Sequence, residues 1–187
     1  MTDDASTDPL PATASQVQGA DFGDAALELT RRELPDIDGA AFQLGMLLLR
    51  TANMHGQQSE RLAHRPHGLS TSGFRVLYIV WIFQRAEARD IARLGGMSRQ
   101  SASSVLATLE GDGLVIRERL SPTDRRLVSV RLSDAGHEAI REAFAQQNAL
   151  EKEWFADLSV EEQLALKGLL NRVASKISES ARQPTDT

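Results

Sequence analysis

The sequence has 187 residues, a formal net charge of −5, 25% charged residues and no cysteine. This length suits one ordinary domain with tails or two very small ones, and the composition is that of a soluble globular protein. The lack of cysteine excludes disulfides, thiolate nucleophiles and cysteine metal sites. No apolar run approaches the roughly 20 residues of a membrane span, and the acidic start has no signal-peptide pattern, so we expect a cytoplasmic protein that does not contact membranes.

The charge is distributed in three blocks. Residues 1–38 carry a net charge of −7 and residues 133–187 a net charge of −4, whereas residues 39–132 carry 13 arginines against seven acidic residues, a net of +6. The planar guanidinium group suits phosphate oxygens and guanine edges. The central block is therefore compatible with a nucleic-acid-binding surface, although charge alone equally allows an ordinary solvated face.

The N-terminal part of the chain is predicted to contain a tail and then helices. Residues 1–24 are rich in Asp, Thr, Ser, Ala and Pro, and we expect a disordered acidic tail there. Residues 25–68 are expected to form N-terminal helices, one of which begins at Pro35 because proline suits a first helical turn. That helix should end before Pro66. A further helix is predicted after Ser70, which can cap it.

Two short helices joined by glycines follow. Asp90 belongs to the first helix, Gly95-Gly96 interrupt it, and Ser98 can cap the second. In the second helix apolar residues occur at Ala102 and then at i+3, i+4 and i+7, which forms one apolar stripe. The other face of this helix is polar and is expected to be exposed. The exposed polar residues on that face are Arg99, Gln100, Ser103 and Ser104. This pattern is typical of a helix-turn-helix.

After this pair of helices the apolar period changes from 3.6 to 2. Residues 114–120 and 126–132 are predicted to be two strands joined by a turn at Ser121-Pro122-Thr123-Asp124. A helix-turn-helix followed directly by an arginine-rich hairpin is a winged helix-turn-helix, which we place at residues 69–132. Ser133 and Ser159 then begin two long helices within residues 133–183. The expected fold class is mainly α (α+β) with a two-stranded β wing.

These residues resemble the MarR family of bacterial transcriptional regulators, from about Leu34 to Ile177. The resemblance is carried by residues 90–115 and 121–136, where Asp124-x-Arg126 precedes an alternating strand and Leu132-Ser133-x-x-Gly136. It implies a homodimer held by the terminal helices, a recognition helix in the major groove of double-stranded DNA, and a wing in the adjacent minor groove. The doubled glycine of the turn departs from the single glycine of many members.

The resemblance also implies roles for individual residues in binding DNA. Arg99 and Gln100 are long enough to reach guanine and adenine edges, and Arg126 suits a narrow minor groove. Asp124 is expected to orient the wing arginines. Seven further candidates are expected to contact phosphates: Ser98, Ser101, Ser104, Thr108, Arg117, Arg119 and Arg125. Ser103, on the exposed face of the same helix, is also a candidate DNA contact. For each of them the alternative is an ordinary exposed side chain.

A small aromatic or phenolic acid is the effector that the resemblance implies, bound between the dimer helices and the DNA-binding lobe. Candidate contacts are Arg50 and His55 on one helix and Arg75, Tyr78 and Trp81 on the next. Arg75 can pair with a carboxylate, and it argues against urate because urate-responsive members carry an aspartate at that place. Core packing is the stronger alternative for Tyr78 and Trp81.

Other classes of function have less support in the sequence. His64 and His67 flank Pro66, which interrupts the helical spacing of a shared metal site, and no cysteine supports one. We find no paired carboxylates, phosphate-binding loop or activated nucleophile, so we expect no enzyme, no cofactor and no metal. The leading hypothesis is a repressor that binds a palindromic operator and is released by a ligand. A metal-responsive or protein-partner-binding winged-helix module is the alternative.

Overall fold

The computed structural model describes residues 21–119 and 128–180. The chain divides into two compact units, residues 1–58 and residues 59–187. The architecture is mainly helical with one small antiparallel sheet, which confirms the expected fold class. None of the helices in these two ranges is long and apolar enough to cross a bilayer.

The first unit contains helix α1 (Asp21–Glu33) and most of helix α2 (Gly39–Ser59). The predicted start at Pro35 is wrong, because Pro35 lies in a turn and Asp38 caps α2 by accepting from the Ala41 N–H at 3.0 Å. Residues 21–24 belong to α1, so the predicted tail is too long at that end. The prediction for residues 1–20 lies outside the described residues.

Helical winding continues beyond α2 in two irregular turns. α2 ends before Pro66, as predicted, and is followed by a π-helical turn (Glu60–His64) and a 3₁₀ turn (Arg65–His67). Glu60 ties this segment to the next helix, because the Thr71 hydroxyl donates to its Oε2 at 2.6 Å. That hydrogen bond, together with one from Arg65, lowers the pKa of Glu60.

Helix α3 (Thr71–Phe83) forms the centre of the second unit. Ser70 caps it as predicted, accepting from the Gly73 N–H at 3.0 Å. Val76, Leu77 and Val80 are fully buried in a core that also contains side chains of the sheet and the neighbouring helices. Helices α4 (Ala88–Leu94) and α5 (Arg99–Gly111) follow, as the glycine-interrupted pattern predicts.

The sheet has three strands in the order β1-β3-β2. Strands β2 (Val115–Arg119) and β3 (Val128–Leu132) pair antiparallel, with Val115 opposite Leu132. Strand β1 (Ala86–Glu87) pairs with the other edge of β3. The sequence predicted two strands only, since a two-residue strand is too short to show an alternating pattern.

Two long helices complete the second unit, α6 (Asp134–Trp154) and α7 (Val160–Ser180). Ser133 caps α6 as predicted, accepting from the Gly136 N–H at 3.0 Å. α7 begins with a capping box in which the Ser159 hydroxyl accepts from the Glu162 N–H at 3.2 Å and the Glu162 carboxylate accepts from the Ser159 N–H at 2.8 Å. α6 buries Ile140 and Ala143, whereas α7 has no buried residue.

Candidate nucleic-acid interface

Helices α4 and α5 form a helix-turn-helix whose turn requires both of its glycines. Gly96 has φ of 60°, in the left-handed region that favours glycine. A side chain at Gly95 would place its Cβ 2.8 Å from the Ile91 carbonyl oxygen. The doubled glycine therefore fits the backbone of this turn.

Helix α5 separates apolar and polar residues as predicted. Ala102, Leu106 and Leu109 are buried with at most 3% exposure, because they face the core of the second unit. The opposite face exposes a set of polar residues that includes the two predicted base-reading residues: Arg99, Gln100, Ser103 and Ser104.

Several predicted phosphate donors on α5 also hydrogen-bond within the chain. The Ser98 Oγ accepts from the Ser101 N–H at 3.0 Å and lies 2.8 Å from the Ser101 Oγ. The Thr108 hydroxyl donates to the Ser104 carbonyl at 3.3 Å. Ser98 is therefore first of all a helix cap. It orders the N-terminal turn of α5, which contains Arg99 and Gln100.

The arginines of the central block differ in their partners. Six of them form ion pairs with carboxylates among the described side chains: Arg65–Glu60, Arg85–Glu118, Arg89–Glu87, Arg93–Asp90, Arg117–Glu110 and Arg131–Glu118. The side chain of Arg99 is exposed, and its guanidinium makes no hydrogen bond or ion pair with the part of the chain that the structure describes. Its guanidinium is thus available to a ligand outside the chain.

The predicted wing contacts are only partly described. The Arg117 Nε donates to the Glu110 Oε2 at 2.9 Å, which links β2 to the last turn of α5. The side chain of Arg119 and the whole of Asp124, Arg125 and Arg126 lie outside the described residues.

A surface depression of about 340 Å³ lies beside the start of α5. Its lining includes the guanidinium-bearing residues Arg89 and Arg93 of α4 together with Arg99. Asp90 lines it too and pairs with Arg93, while Arg89 pairs with Glu87. Both arginine side chains are nevertheless about 70% exposed, so they keep N–H groups that suit phosphate oxygens. Our sequence predictions did not include Arg89 and Arg93, although their i, i+4 spacing places them on one side of a helix.

The predicted effector contacts belong to both units. Arg50, in the first unit, lines a cleft of about 500 Å³ with Phe22 and Met46, and His55 is half-buried in the same unit. In the second unit, Arg75 Nη1 donates to the Gly95 carbonyl at 2.9 Å. Arg75 therefore contacts the turn of the helix-turn-helix.

Two other predicted effector contacts are engaged in an aromatic cluster. The Tyr78 ring stacks on Phe144 with centroids 5.3 Å apart, and the Trp81 ring lies 5.6 Å from Phe144. Both residues are half-buried against the core, in agreement with the core-packing alternative.

The two histidines around Pro66 contact helix α6. His64 is buried, stacks on Phe74 at a centroid distance of 4.1 Å, and places Nε2 2.6 Å from the Gln147 Oε1. His67 Nδ1 lies 3.3 Å from a Glu142 carboxylate oxygen. Among the described side chains, no group of three or more His, Asp or Glu residues is arranged to hold a metal ion.

Comparison with known proteins agrees with this geometry. A model described as MarR family matches residues 67–127, which begin at the end of the 3₁₀ turn and extend into the wing. The chain is 32% identical to an uncharacterised HTH-type transcriptional regulator, YwaE of Bacillus subtilis, over 82% of this chain and 90% of that protein. It is 28% identical to an HTH-type transcriptional regulator of Bacillus anthracis, over 74% of this chain and 91% of that protein.

Solved structures share the fold. An organohalide-sensing regulator in its 2,4-dichlorophenol-bound form superposes with a TM-score of 0.69 at 19% identity, over 83% of this chain and 90% of that one. The PcaV regulator of Streptomyces coelicolor gives 0.60 at 22% identity, over 72% and 97%. A mutant of E. coli MarR bound to operator DNA gives 0.59 at 23% identity, over 71% and 96%.

Proposed function

The chain belongs to the MarR family of transcriptional regulators, and from this premise we propose that it is a cytoplasmic homodimeric repressor that binds a palindromic operator. A small aromatic or phenolic acid then releases it from DNA. The observation that carries the DNA-binding proposal is the exposed start of α5, where Arg99 has no partner among the described residues.

Arg99 and Gln100 suit direct reading of base edges. They occupy the first two positions of α5, and the N-terminal residues of a recognition helix are the ones that contact base edges in the major groove. A guanidinium can donate two hydrogen bonds to one guanine, and a glutamine amide can pair with adenine. Arg89 and Arg93 line the same depression as Arg99. Although each pairs with a carboxylate of α4 or the residue before it, both side chains stay exposed and suit the phosphates at the edge of that groove.

Helix α7 supports the homodimer. Large apolar side chains are exposed along its whole length, including Leu164 at 63%, Leu169 at 55% and Ile177 at 59%. A second copy of the chain can cover such a stripe with its own equivalent residues, as in a two-fold symmetric interface. A dimer of this kind reads two half-sites about one helical turn apart, roughly 34–36 Å.

The proposed effector class has two lines of support. One neighbour is described in a 2,4-dichlorophenol-bound form, and another, BpsR of Bordetella bronchiseptica, is regulated by 6-hydroxynicotinic acid. In this chain the cleft beside Arg50 combines a cation with apolar walls from Phe22, Met46 and Leu49. Such a lining suits an aromatic ring that carries a carboxylate. The ligand releases DNA if it binds one arrangement of the lobes better than the other.

The experiment that tests DNA binding is selection of duplexes from a random double-stranded library by the full-length protein. We expect one roughly palindromic sequence, whose affinity falls steeply as salt rises. Arg99→Ala should cost about 1–3 kcal/mol and relax discrimination at one base position in each half-site. Arg141→Ala, an equal loss of charge on an exposed position of α6, is the control. Failure to select any duplex, or an unchanged base preference in Arg99→Ala, would contradict the proposal.

The effector is tested with the selected duplex. Phenolic and aryl carboxylic acids are screened for stabilisation of the protein against thermal unfolding and for release of that duplex. We expect the Arg50→Gln variant to lose both responses to an active compound, because it lacks the cation at the cleft. A compound that stabilises the protein without releasing DNA is not the effector.

A further inference from the structure

We propose that Glu118 is a positioning residue that fixes the wing relative to helix α5 and thereby sets the discrimination between DNA sequences. The inference rests on the proposed DNA binding. It starts from a carboxylate shared by two arginines: Glu118 Oε2 accepts from Arg85 Nη1 at 3.0 Å, and Glu118 Oε1 accepts from Arg131 Nε. Arg85 directly precedes β1, Glu118 lies in β2 and Arg131 lies in β3, so one carboxylate connects β2 and β3 with the residue that leads into β1.

The backbone alone does not make this connection. In the order β1-β3-β2 the outer strands β1 and β2 each pair with β3 and not with each other. β1 contributes two residues, Ala86 and Glu87, to its ladder with β3. Val115, Val130 and Leu132 anchor the base of the hairpin in the core, and a ladder of two residues adds little to that anchoring. The ion pair between Glu118 and Arg85 adds a direct link from β2 to the segment that leaves α3.

A second link acts on the neighbouring residue of β2. Arg117 donates to Glu110 at the end of α5, and successive side chains of a strand point to opposite faces. β2 is therefore tied to the recognition helix by Arg117 on one face and to the other two strands by Glu118 on the opposite face. These two ties together orient the paired strands β2 and β3, the described part of the wing, relative to α5.

The charge of Glu118 has a separate effect on DNA binding. The hydrogen bond from Arg131, followed by the positive charges of Arg131 and Arg85, lowers the pKa of Glu118, so the carboxylate is ionised at neutral pH. It partly neutralises two guanidinium groups that would otherwise attract phosphates of any sequence. Removing the charge should therefore strengthen non-specific binding while the loosened wing reads its target less well.

Neutralising Glu118 should thus raise non-specific affinity and lower sequence discrimination. This combination distinguishes a positioning role from a purely electrostatic role and from a role in folding alone. A carboxylate that only repels phosphate would, when neutralised, raise the affinity for every duplex by the same factor. A carboxylate needed only for folding would lower the affinity for every duplex. Neutralising a carboxylate that both positions the wing and pairs with two arginines raises the affinity for unrelated DNA and lowers the ratio of specific to non-specific affinity.

The experiment compares the full-length wild-type protein and its variants on two duplexes: the one selected by the wild-type protein and a scrambled duplex of equal composition. For Glu118→Gln we expect the affinity for the scrambled duplex to rise about threefold to tenfold, with a salt dependence steeper by about one released counterion. The ratio of the two affinities should fall about tenfold, comparable to the loss of one base contact. Glu138→Gln, an equal change of charge on an exposed position of α6, should leave the ratio unchanged.

Two further variants separate position from charge. Glu118→Asp keeps the charge but shortens the side chain, so the ratio should fall without a rise in scrambled-duplex affinity. Arg85→Gln breaks the link to β1 and removes a cation, so the ratio should fall while scrambled-duplex affinity does not rise. Thermal unfolding midpoints within a few degrees of wild type would show that all variants are folded.

The proposal is supported if the ratio of selected-duplex to scrambled-duplex affinity falls in Glu118→Gln, Glu118→Asp and Arg85→Gln. In these variants, base-pair mismatches that flank each half-site should cost less affinity than mismatches at other positions. Equal changes on both duplexes, or an unchanged ratio in Glu118→Asp and Arg85→Gln, would overturn it. If the wild-type protein selects no duplex at all, the proposed DNA binding fails first and this inference fails with it.

Discussion

Helices α5 and α7 are both amphipathic, but they leave opposite faces uncovered. α5 buries Ala102, Leu106 and Leu109 within its own chain and exposes polar residues. α7 buries no residue and exposes large apolar side chains, with Leu164 at 63% and Leu169 at 55%. α5 is thus packed by its own chain and presents a polar surface, whereas the packing of α7 requires apolar surface from outside the described residues.

The difference indicates two kinds of partner. An exposed row of Arg, Gln and Ser side chains gains from a polar, negatively charged ligand such as DNA, because each donor can find an acceptor there. An exposed apolar stripe gains only from exclusion of water, at about 25 cal/mol per Å² of buried apolar surface. We therefore expect charge changes on α5 to act on DNA binding and charge changes on α7 to act first on assembly.

The largest expected effect comes from placing charges in the α7 stripe. Leu169→Glu with Val173→Glu puts two carboxylates one turn apart on exposed apolar positions. The dimer should dissociate, and affinity for the palindromic duplex should fall about 100-fold or more because the two half-sites are no longer bound together. Sedimentation equilibrium and fluorescence anisotropy measure the two effects. Ser175→Glu on the same helix is the control, and a dimer that survives the double substitution would contradict our assignment.

A smaller effect is expected from the buried face of α5. Leu106 is fully buried, so Leu106→Ala should lower the free energy of unfolding by about 2–5 kcal/mol. Urea denaturation at one fixed protein concentration measures this value, since dimerisation makes stability concentration-dependent. Ser103→Ala, on the exposed face of the same helix, should change it little. Equal losses in the two variants would mean that α5 is not packed by its own chain as described.

The smallest effect separates capping from DNA contact at Ser98. Ser98→Ala removes the hydroxyl that accepts from the Ser101 N–H and should cost about 1 kcal/mol of stability. Ser98→Asp keeps a capping acceptor but adds a negative charge, so stability should be retained while DNA affinity falls. Thermal unfolding measures the capping role of Ser98, and fluorescence anisotropy measures its contribution to DNA binding. Unchanged DNA affinity in Ser98→Asp would place Ser98 away from the phosphates.

Local signals in the sequence were sufficient for the starts of four helices, α3, α5, α6 and α7. Ser70, Ser98, Ser133 and Ser159 were each predicted to begin a helix, and each accepts the expected backbone hydrogen bond. A capping side chain accepts from a backbone N–H within three residues, so the sequence around it is enough to predict the cap. The start of α2 was misplaced because Pro35 is compatible with a first turn, and the cap that begins α2 is Asp38. The sequence did not predict β1, because two residues show no strand pattern of their own and β1 is recognised only by its pairing with β3.

The amphipathic stripe of α5, the glycine turn before it and the arginine-rich hairpin after it are properties of neighbouring residues, and the sequence by itself determined them. Only the tertiary structure decided which arginines pair with carboxylates of the chain and which are available to bind DNA. In the sequence the arginines of the central block are equivalent cations, but the fold brings Glu118 to Arg85 and Arg131 and leaves Arg99 without a partner among the described residues. The physical reason is that an ion pair depends on separation in space, and residues 33 positions apart in sequence, such as Arg85 and Glu118, meet only when the strands assemble.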